Sequence, residues 1–167
     1  KTIILTNHIV PYPNIPCAIP EIDVDYIVKV EEIGNSKGIA SGATRFTTNP
    51  RELKIAQMAA DIMEHSGYFK EGFSFQTGTG GASLAVTRFL RDKMLKKGIK
   101  ADFALGGITG AMVKLHEEGL IKKLLDVQDF DLEAARSVRE NPFHCDVNGH
   151  HYAGSGFEGS AVEQLDM

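Results

Sequence analysis

Residues 72–82 carry three structural patterns in immediate succession, and this order constrains the fold more than any other stretch of the sequence. Phe73–Gln76 alternates apolar and polar side chains, which predicts a half-buried strand. Thr77–Gly81 places three glycines within five residues, which indicates a tight turn. From Ala82 onward the apolar side chains recur at helical spacing. The stretch therefore predicts a strand, a glycine-rich turn and a helix.

This arrangement predicts a site for an anion at the start of the helix. The first N–H groups of a helix have no partner inside it and lie at the positive end of its dipole. Glycines let a ligand approach the backbone because they lack a Cβ atom. The motif is neither a dinucleotide fingerprint nor a P-loop, since Gly78–Gly81 lacks the spacing of both. The alternative is a tight turn between strand and helix that binds nothing.

A second copy of the same plan follows directly. Ala101–Leu105 is a predicted strand, Gly106–Gly110 a predicted glycine-rich turn, and a helix is expected from Ala111 to about Glu118. Strands and helices alternate along the whole chain, which predicts an α/β fold with a mostly parallel sheet and helices on both faces. Parallel strands would bring both turns to one edge of the sheet, where such folds bind ligands.

Composition excludes several other classes of protein. The chain has 167 residues, 43% hydrophobic content and a net charge of −4, which fits one globular α/β domain over residues 1–167. No basic stripe suggests nucleic acid as a partner, and no apolar run is long enough for a membrane span. Cys17 and Cys145 lack a metal-type spacing, so we expect reduced thiols and a cytoplasmic location. The chain starts at Lys1 and ends in Leu165–Met167, which resembles a starting strand, and we expect an incomplete part of a longer chain.

The other elements follow from local signals. Further strands are predicted over the ranges 2–6 (short and buried), 24–30 and 123–128. Asn49-Pro50 marks a helix start that should end at Ser66-Gly67, and Asp131 is predicted to cap a helix over Leu132–Glu140.

A few charged residues could carry chemistry. Arg45 lies in a loop of small and hydroxylic residues, where its planar guanidinium suits a carboxylate or phosphate, although an ion pair within the protein is an equal alternative. His65 is interpreted as a helix cap, and His116–Glu118 as a solvated helix end.

The segment 143–160 contains several potential metal ligands but predicts no metal site. These ligands are His144, Cys145, Asp146, His150 and His151. Their spacings match no standard zinc pattern, and four glycines indicate a flexible loop. Tyr152 is predicted to lie on a short strand.

Several long segments resemble the citrate lyase alpha-chain family and, more distantly, the acetyl-CoA hydrolase/transferase group. The resemblance covers nearly the whole chain and is strongest over the segments 10–14, 39–52, 73–90, 103–120 and 123–140. It implies a CoA-transferase-like fold of the NagB/RpiA type, as a fragment of a two-domain chain. It also implies a citrate CoA-transferase, which exchanges acetate for citrate on the thiol of an acyl-carrier protein. That carrier bears a CoA-like phosphopantetheine group, and the implied partners are the beta and the acyl-carrier gamma subunits of citrate lyase.

The resemblance and the residue patterns together predict the site. The predicted cofactor-binding residues are those of the two turns, namely Thr77, Gly78, Thr79, Gly80, Gly81, Gly106 and Gly107. Arg45 and Thr109 are predicted to bind the substrate. Related CoA-transferases use a glutamate on a strand that would begin near Met167, so we name no nucleophile and expect this piece alone to be inactive.

Three other functions stay open at this point. The chain could be a non-catalytic scaffold module of the same complex, or another acetyl-CoA hydrolase/transferase-like enzyme. A sugar-phosphate isomerase of similar topology is the third, although its acid/base residues are not evident.

Overall fold

The computed structural model describes residues 1–11, 19, 21–35, 45–154 and 159–167. Contacts divide the chain into two compact units, Lys1–Gly38 and Ile39–Met167, and each is described by itself. The single domain over residues 1–167 stays a prediction. Residues 39–44, which carry part of the family resemblance, lie outside the described ranges.

The first unit contains a two-stranded parallel sheet. β1 (Ile3–Thr6) pairs with β2 (Tyr26–Lys29), and a single 3-10 turn, Glu21–Asp23, precedes β2. Both predicted strands are therefore confirmed. The predicted burial of β1 is wrong: Ile3 is 57% exposed. A two-stranded sheet has no second layer of its own with which to cover its faces.

The second unit is a four-stranded parallel sheet with crossover helices, and it confirms the α/β class. Its elements are α1 (Pro50–His65), β3 (Phe73–Phe75), α2 (Gly81–Lys97), β4 (Ala101–Ile108), α3 (Gly110–Glu117), β5 (Ile121–Asp129), α4 (Leu132–Glu140), β6 (His144–Asp146) and α5 (Gly149–Ala153), with a 3-10 turn at Val162–Gln164. The strand order is β3-β4-β5-β6, so strands that follow in sequence are also neighbours in space.

This strand order determines where the connecting helices lie. Because parallel crossovers are right-handed, consecutive crossovers between neighbouring strands put α2, α3 and α4 on one face of the sheet. Contacts between α2 and α3 and between α3 and α4 agree with this layer, and α1 packs against α2. Helices on the opposite face stay a prediction.

The core lies between the sheet and these helices. Its fully buried side chains include Phe73, Phe75, Leu90, Met94, Ile108, Met112, Ile121 and Leu124. Among the described residues, no helix has both the length and the apolar character that crossing a membrane requires.

Local capping signals account for the helix bounds. The Asn49 side chain accepts a hydrogen bond from Arg51 N at 2.9 Å, and Gly98 ends α2 in the left-handed conformation that favours glycine. Asp131 caps α4 as predicted. His65 lies in the last turn of α1, and its Nδ1 is 2.7 Å from the Asp61 carbonyl.

The structure corrects four of the sequence predictions in this unit. β3 is fully buried instead of half-buried, because Ser74 hydrogen-bonds to Asp166 and the Gln164 carbonyl and is only 1% exposed. β4 runs on to Ile108, so Gly106 and Gly107 lie in the strand and not in a turn. The described part of the segment 143–160 contains β6 and α5 instead of one flexible loop, and Tyr152 lies in α5, where Asn148 provides the cap.

Candidate functional site

The amino end of α2 is open, as a site for an anion requires. Gly80 is the N-cap in an extended conformation, and among the described residues other than its chain neighbours no atom lies within 4 Å of the position that a Cβ would take there. A glycine offers no side chain to bond the first N–H groups of the helix. Thr77 and Thr79 lie half-buried beside this end. The turn after β3 can therefore present backbone donors to a ligand.

Arg45 reaches this turn through its backbone. A Cβ at Gly81 would lie 2.9 Å from the Arg45 carbonyl oxygen, and Thr47 N donates to the Gly81 carbonyl at 3.3 Å. The absence of a side chain at Gly81 thus allows the two segments to pack closely. The Arg45 residue is exposed. The structure thus brings Arg45 next to the glycine-rich turn, although the two lie more than thirty residues apart in sequence.

The first two glycines of the second motif, Gly106 and Gly107, face the protein's own side chains. Gly106 has a φ of +108°, and a Cβ there would lie 2.7 Å from Nε2 of Gln76. A Cβ at Gly107 would collide with the ring of Phe130. Cofactor binding by Gly106 and Gly107 stays a prediction, and it requires Gln76 and Phe130 to move.

The amino end of α3 is closed by an internal carboxylate. Oδ2 of Asp131 accepts a hydrogen bond from Gly110 N at 2.7 Å, and its Oδ1 accepts one from Ala134 N at 2.9 Å. Thr109, the N-cap of α3, is 2% exposed, and its hydroxyl has no hydrogen-bond partner among the described residues. The two motifs share the carboxyl edge of neighbouring parallel strands, but only the first is open.

A cleft of about 590 Å³ runs along α2 and α3. It is lined by Phe46, Thr87, Arg88, Arg91, Asp92, Gly110, Ala111, Lys114, Leu115 and Glu118. Arg91 pairs with Glu118 and Asp92, whereas Arg88 and Lys114 have no ion-pair partner among the described residues. The cleft therefore carries positive charge next to Phe46, the neighbour of Arg45. Sequence reasoning missed it, because its residues come from two helices whose packing no local pattern shows.

A second set of functional groups lies near the same edge of the sheet, in the carboxyl-terminal half of β5 and at the first residue of β6. Nε2 of His144 is 3.1 Å from Oδ2 of Asp126, and both side chains are fully buried. Asp129 lies beside them, and one donor atom from each of the three residues falls within 4.8 Å of the other two. Burial, the hydrogen bond to Asp126 and the charge of Asp126 raise the pKa of the Asp129 carboxyl from 3.8 to about 7. Burial and the charge of Asp126 also raise the pKa of Asp146.

The other charged residues considered in the sequence analysis make contacts within the protein. Arg136 pairs with Glu117 at 2.7 Å, and Nδ1 of His116 lies 2.6 Å from the Ile121 carbonyl. Cys145 is a free, exposed cysteine. The sequence analysis considered His144 as a metal ligand but missed Asp126 and Asp129, whose only signal is their position at the end of a predicted strand.

The chain matches proteins of one family over its full length. The family described as "Citrate lyase, alpha subunit (CitF)" matches residues 1–167. The citrate lyase alpha chain of Escherichia coli (strain K12) is 58% identical over 167 residues, which is 100% of this chain and 33% of that protein. The citrate lyase alpha chain of Klebsiella pneumoniae is 58% identical over 165 residues, or 99% of this chain and 32% of that one.

A solved structure agrees with these relatives. The crystal structure of the alpha subunit of citrate lyase from Streptococcus mutans, in complex with citrate, superposes with a TM-score of 0.85 at 59% identity. The match covers 98% of this chain and 32% of that chain. The chain thus spans about a third of the length of the relatives it matches.

Proposed function

Because this chain belongs to the citrate lyase alpha subunit family, we propose that it forms part of a citrate CoA-transferase. In the proposed reaction the thioester bond between an acetyl group and a carrier thiol breaks, and acetate leaves. The same sulfur forms a thioester with a carboxyl carbon of citrate, whose displaced oxygen departs in the acetate. The proposed partners are the beta subunit and the acyl-carrier gamma subunit of citrate lyase.

The open amino end of α2 is the observation that carries this proposal. We assign Thr77–Gly81 to the CoA-like phosphopantetheine group of the carrier, which supplies the thiol when it is bound. The space in front of Gly80 fits a phosphate or a thioester carbonyl, because no other described residue fills it. The unpaired N–H groups at the start of α2 would stabilise the oxyanion that develops during acyl exchange.

We assign citrate to the positive surface beside this turn. Arg45 would bind one carboxylate through two parallel hydrogen bonds, and its backbone contact with Gly81 holds it at the turn. The hydroxyl of Thr109 has no partner among the described residues and would donate a further hydrogen bond to citrate once the end of α3, which Asp131 closes, opens to the ligand. The cations Arg88 and Lys114 in the cleft favour a ligand with several negative charges. We assign no nucleophile to this chain, and we propose a cytoplasmic location, which the free thiol of Cys145 favours.

An acetyl-to-citrate exchange assay on the full-length protein tests this function. We expect Arg45→Ala to raise the KM for citrate at least tenfold, while Arg139→Ala, which removes an exposed arginine from α4, leaves it unchanged. Unchanged citrate kinetics in Arg45→Ala would remove the assigned role of this residue. Absence of any exchange by the full-length wild-type protein would leave the scaffold function as the better explanation.

A further inference from the structure

The carboxyl-terminal half of β5 and the first residue of β6 bring one imidazole and two carboxylates together in a cluster, which we call the Asp–His cluster (Asp126, Asp129 and His144). The parallel register places Leu124 opposite His144, two residues before Asp126. Side chains two residues apart on a strand lie on the same face of a sheet, so His144 and Asp126 meet. Oδ1 of Asp126 accepts a hydrogen bond from Gln128 N at 2.7 Å, which orients the Asp126 carboxylate.

The cluster is short of hydrogen-bonding partners. His144 and Asp126 have side-chain exposures of 0% and 1%. Oδ1 of Asp129 is shielded from solvent and has no hydrogen-bond partner among the described residues, and neither has Nδ1 of His144. Buried polar atoms are nearly always paired, so an unpaired oxygen on a carboxylate that lies beside a second carboxylate and an imidazole indicates a missing cation or proton.

The carboxylates of the cluster also lack a lysine or arginine partner in the described part of the chain. The carboxylate of Asp146 adds negative charge nearby. Two carboxylates this close, one fully buried and one half-buried, repel each other and lose hydration, which costs several kcal/mol unless a positive charge lies between them.

We propose that the Asp–His cluster binds a divalent transition-metal ion, with Mn²⁺ or Zn²⁺ as the fitting class. One imidazole nitrogen with two carboxylate oxygens is a donor set that these ions accept, whereas Ca²⁺ takes oxygen ligands alone. Ligands about 2.1 Å from such an ion lie roughly 3.0–3.4 Å apart, and the Nε2–Oδ2 separation of 3.1 Å falls in this range. The ion would tie β6 to β5 at the edge of the sheet.

Metal titration of the purified protein, in a chelator-free buffer without citrate or carrier, tests this site independently of the transferase function. We expect calorimetry to show one Mn²⁺ or Zn²⁺ bound per chain with a micromolar Kd. With Co²⁺ as a probe, we expect visible absorption bands that report nitrogen and oxygen ligands.

Matched variants identify the ligands. We expect Asp129→Asn, which preserves the side-chain volume, and His144→Gln each to weaken binding at least tenfold. Asp102→Asn removes an exposed carboxylate from β4 and should leave binding unchanged. Circular dichroism identifies any variant that does not fold. If one of the two ligand variants is unfolded, the metal affinity of the other one decides the test. No stoichiometric binding by the wild type, or equal binding by wild type and folded variants, overturns the proposal and leaves a bound proton as the neutralising charge.

Discussion

The carboxylate of Asp131 accepts a hydrogen bond from Gly110 N at 2.7 Å and so fastens the start of α4 to the start of α3. Its other oxygen caps α4 itself through Ala134 N. One side chain thus satisfies backbone donors of two helices, and it fills the place where a ligand anion would otherwise bind α3.

The double cap predicts a measurable loss of stability. Since a single N-cap contributes about 1 kcal/mol, we expect Asp131→Ala to lower the free energy of unfolding by about 2 kcal/mol. Asn49→Ala removes a cap of α1 alone and should cost about half as much. Urea denaturation of both variants measures the difference, and equal losses would show that the bond to Gly110 contributes nothing.

Gly80 allows a test of ligand binding that leaves the fold intact. A methyl group added there comes within 4 Å of no described residue other than the chain neighbours of Gly80, and it lies in the space assigned to the carrier's prosthetic group. We expect Gly80→Ala to reduce acyl exchange in the full-length protein at least tenfold while the melting temperature stays within about 2 °C, because its φ of −63° suits alanine. Gly149→Ala, which also adds a methyl into open space, is the control. Full activity of Gly80→Ala would show that no ligand approaches this turn.

Gly107 and Phe130 should be energetically coupled. A Cβ at Gly107 collides with the Phe130 ring, so we expect Gly107→Ala to cost about 2–3 kcal/mol of stability, as overpacking does. Phe130→Ala removes the obstacle, and the double variant should be less destabilised than the sum of the single ones. A double-mutant cycle by urea denaturation measures this coupling, and strict additivity would contradict the contact.

We expect the ion pairs of Lys93 to make the stability of the fold depend on pH. It pairs with Asp61 at 2.6 Å and also with Glu64. The hydrogen bond from Lys93 lowers the pKa of both carboxyls below their ordinary values of 3.8 and 4.5. A carboxyl whose pKa is lower in the folded state stabilises the fold above its ordinary pKa, and this contribution is lost as the pH falls through the folded value.

The measurement compares Lys93→Met with the wild type. We expect the variant to be less stable at pH 7 and the difference in unfolding free energy to shrink as the pH falls below 4.5. Lys96→Met on the same helix serves as the control, because Lys96 has no ion pair among the described residues. A difference that stays constant down to pH 3 would exclude the ionic contribution.

Sequence alone determined the features that depend on neighbouring residues. The start of α1 at Pro50, its end before Ser66 and the whole extent of α4 follow from capping side chains and glycine, since these hydrogen bonds close within a few residues. The long segments that resemble the family also indicated it, because runs of this length are highly specific.

Tertiary structure determined which segments distant in sequence pack against each other. The packing of Arg45 on Gly81, the filling of the Gly107 face by Phe130 and the meeting of Asp126 with His144 all depend on strand register and on the crossing of elements far apart in the chain. Such contacts leave no periodic signal in a single sequence. A glycine is the same letter in the sequence whether the space beside it is open, as among the described residues at Gly80, or filled by an aromatic ring, as at Gly107. The residues that fill or leave that space come from other parts of the chain, so only the fold shows which case applies.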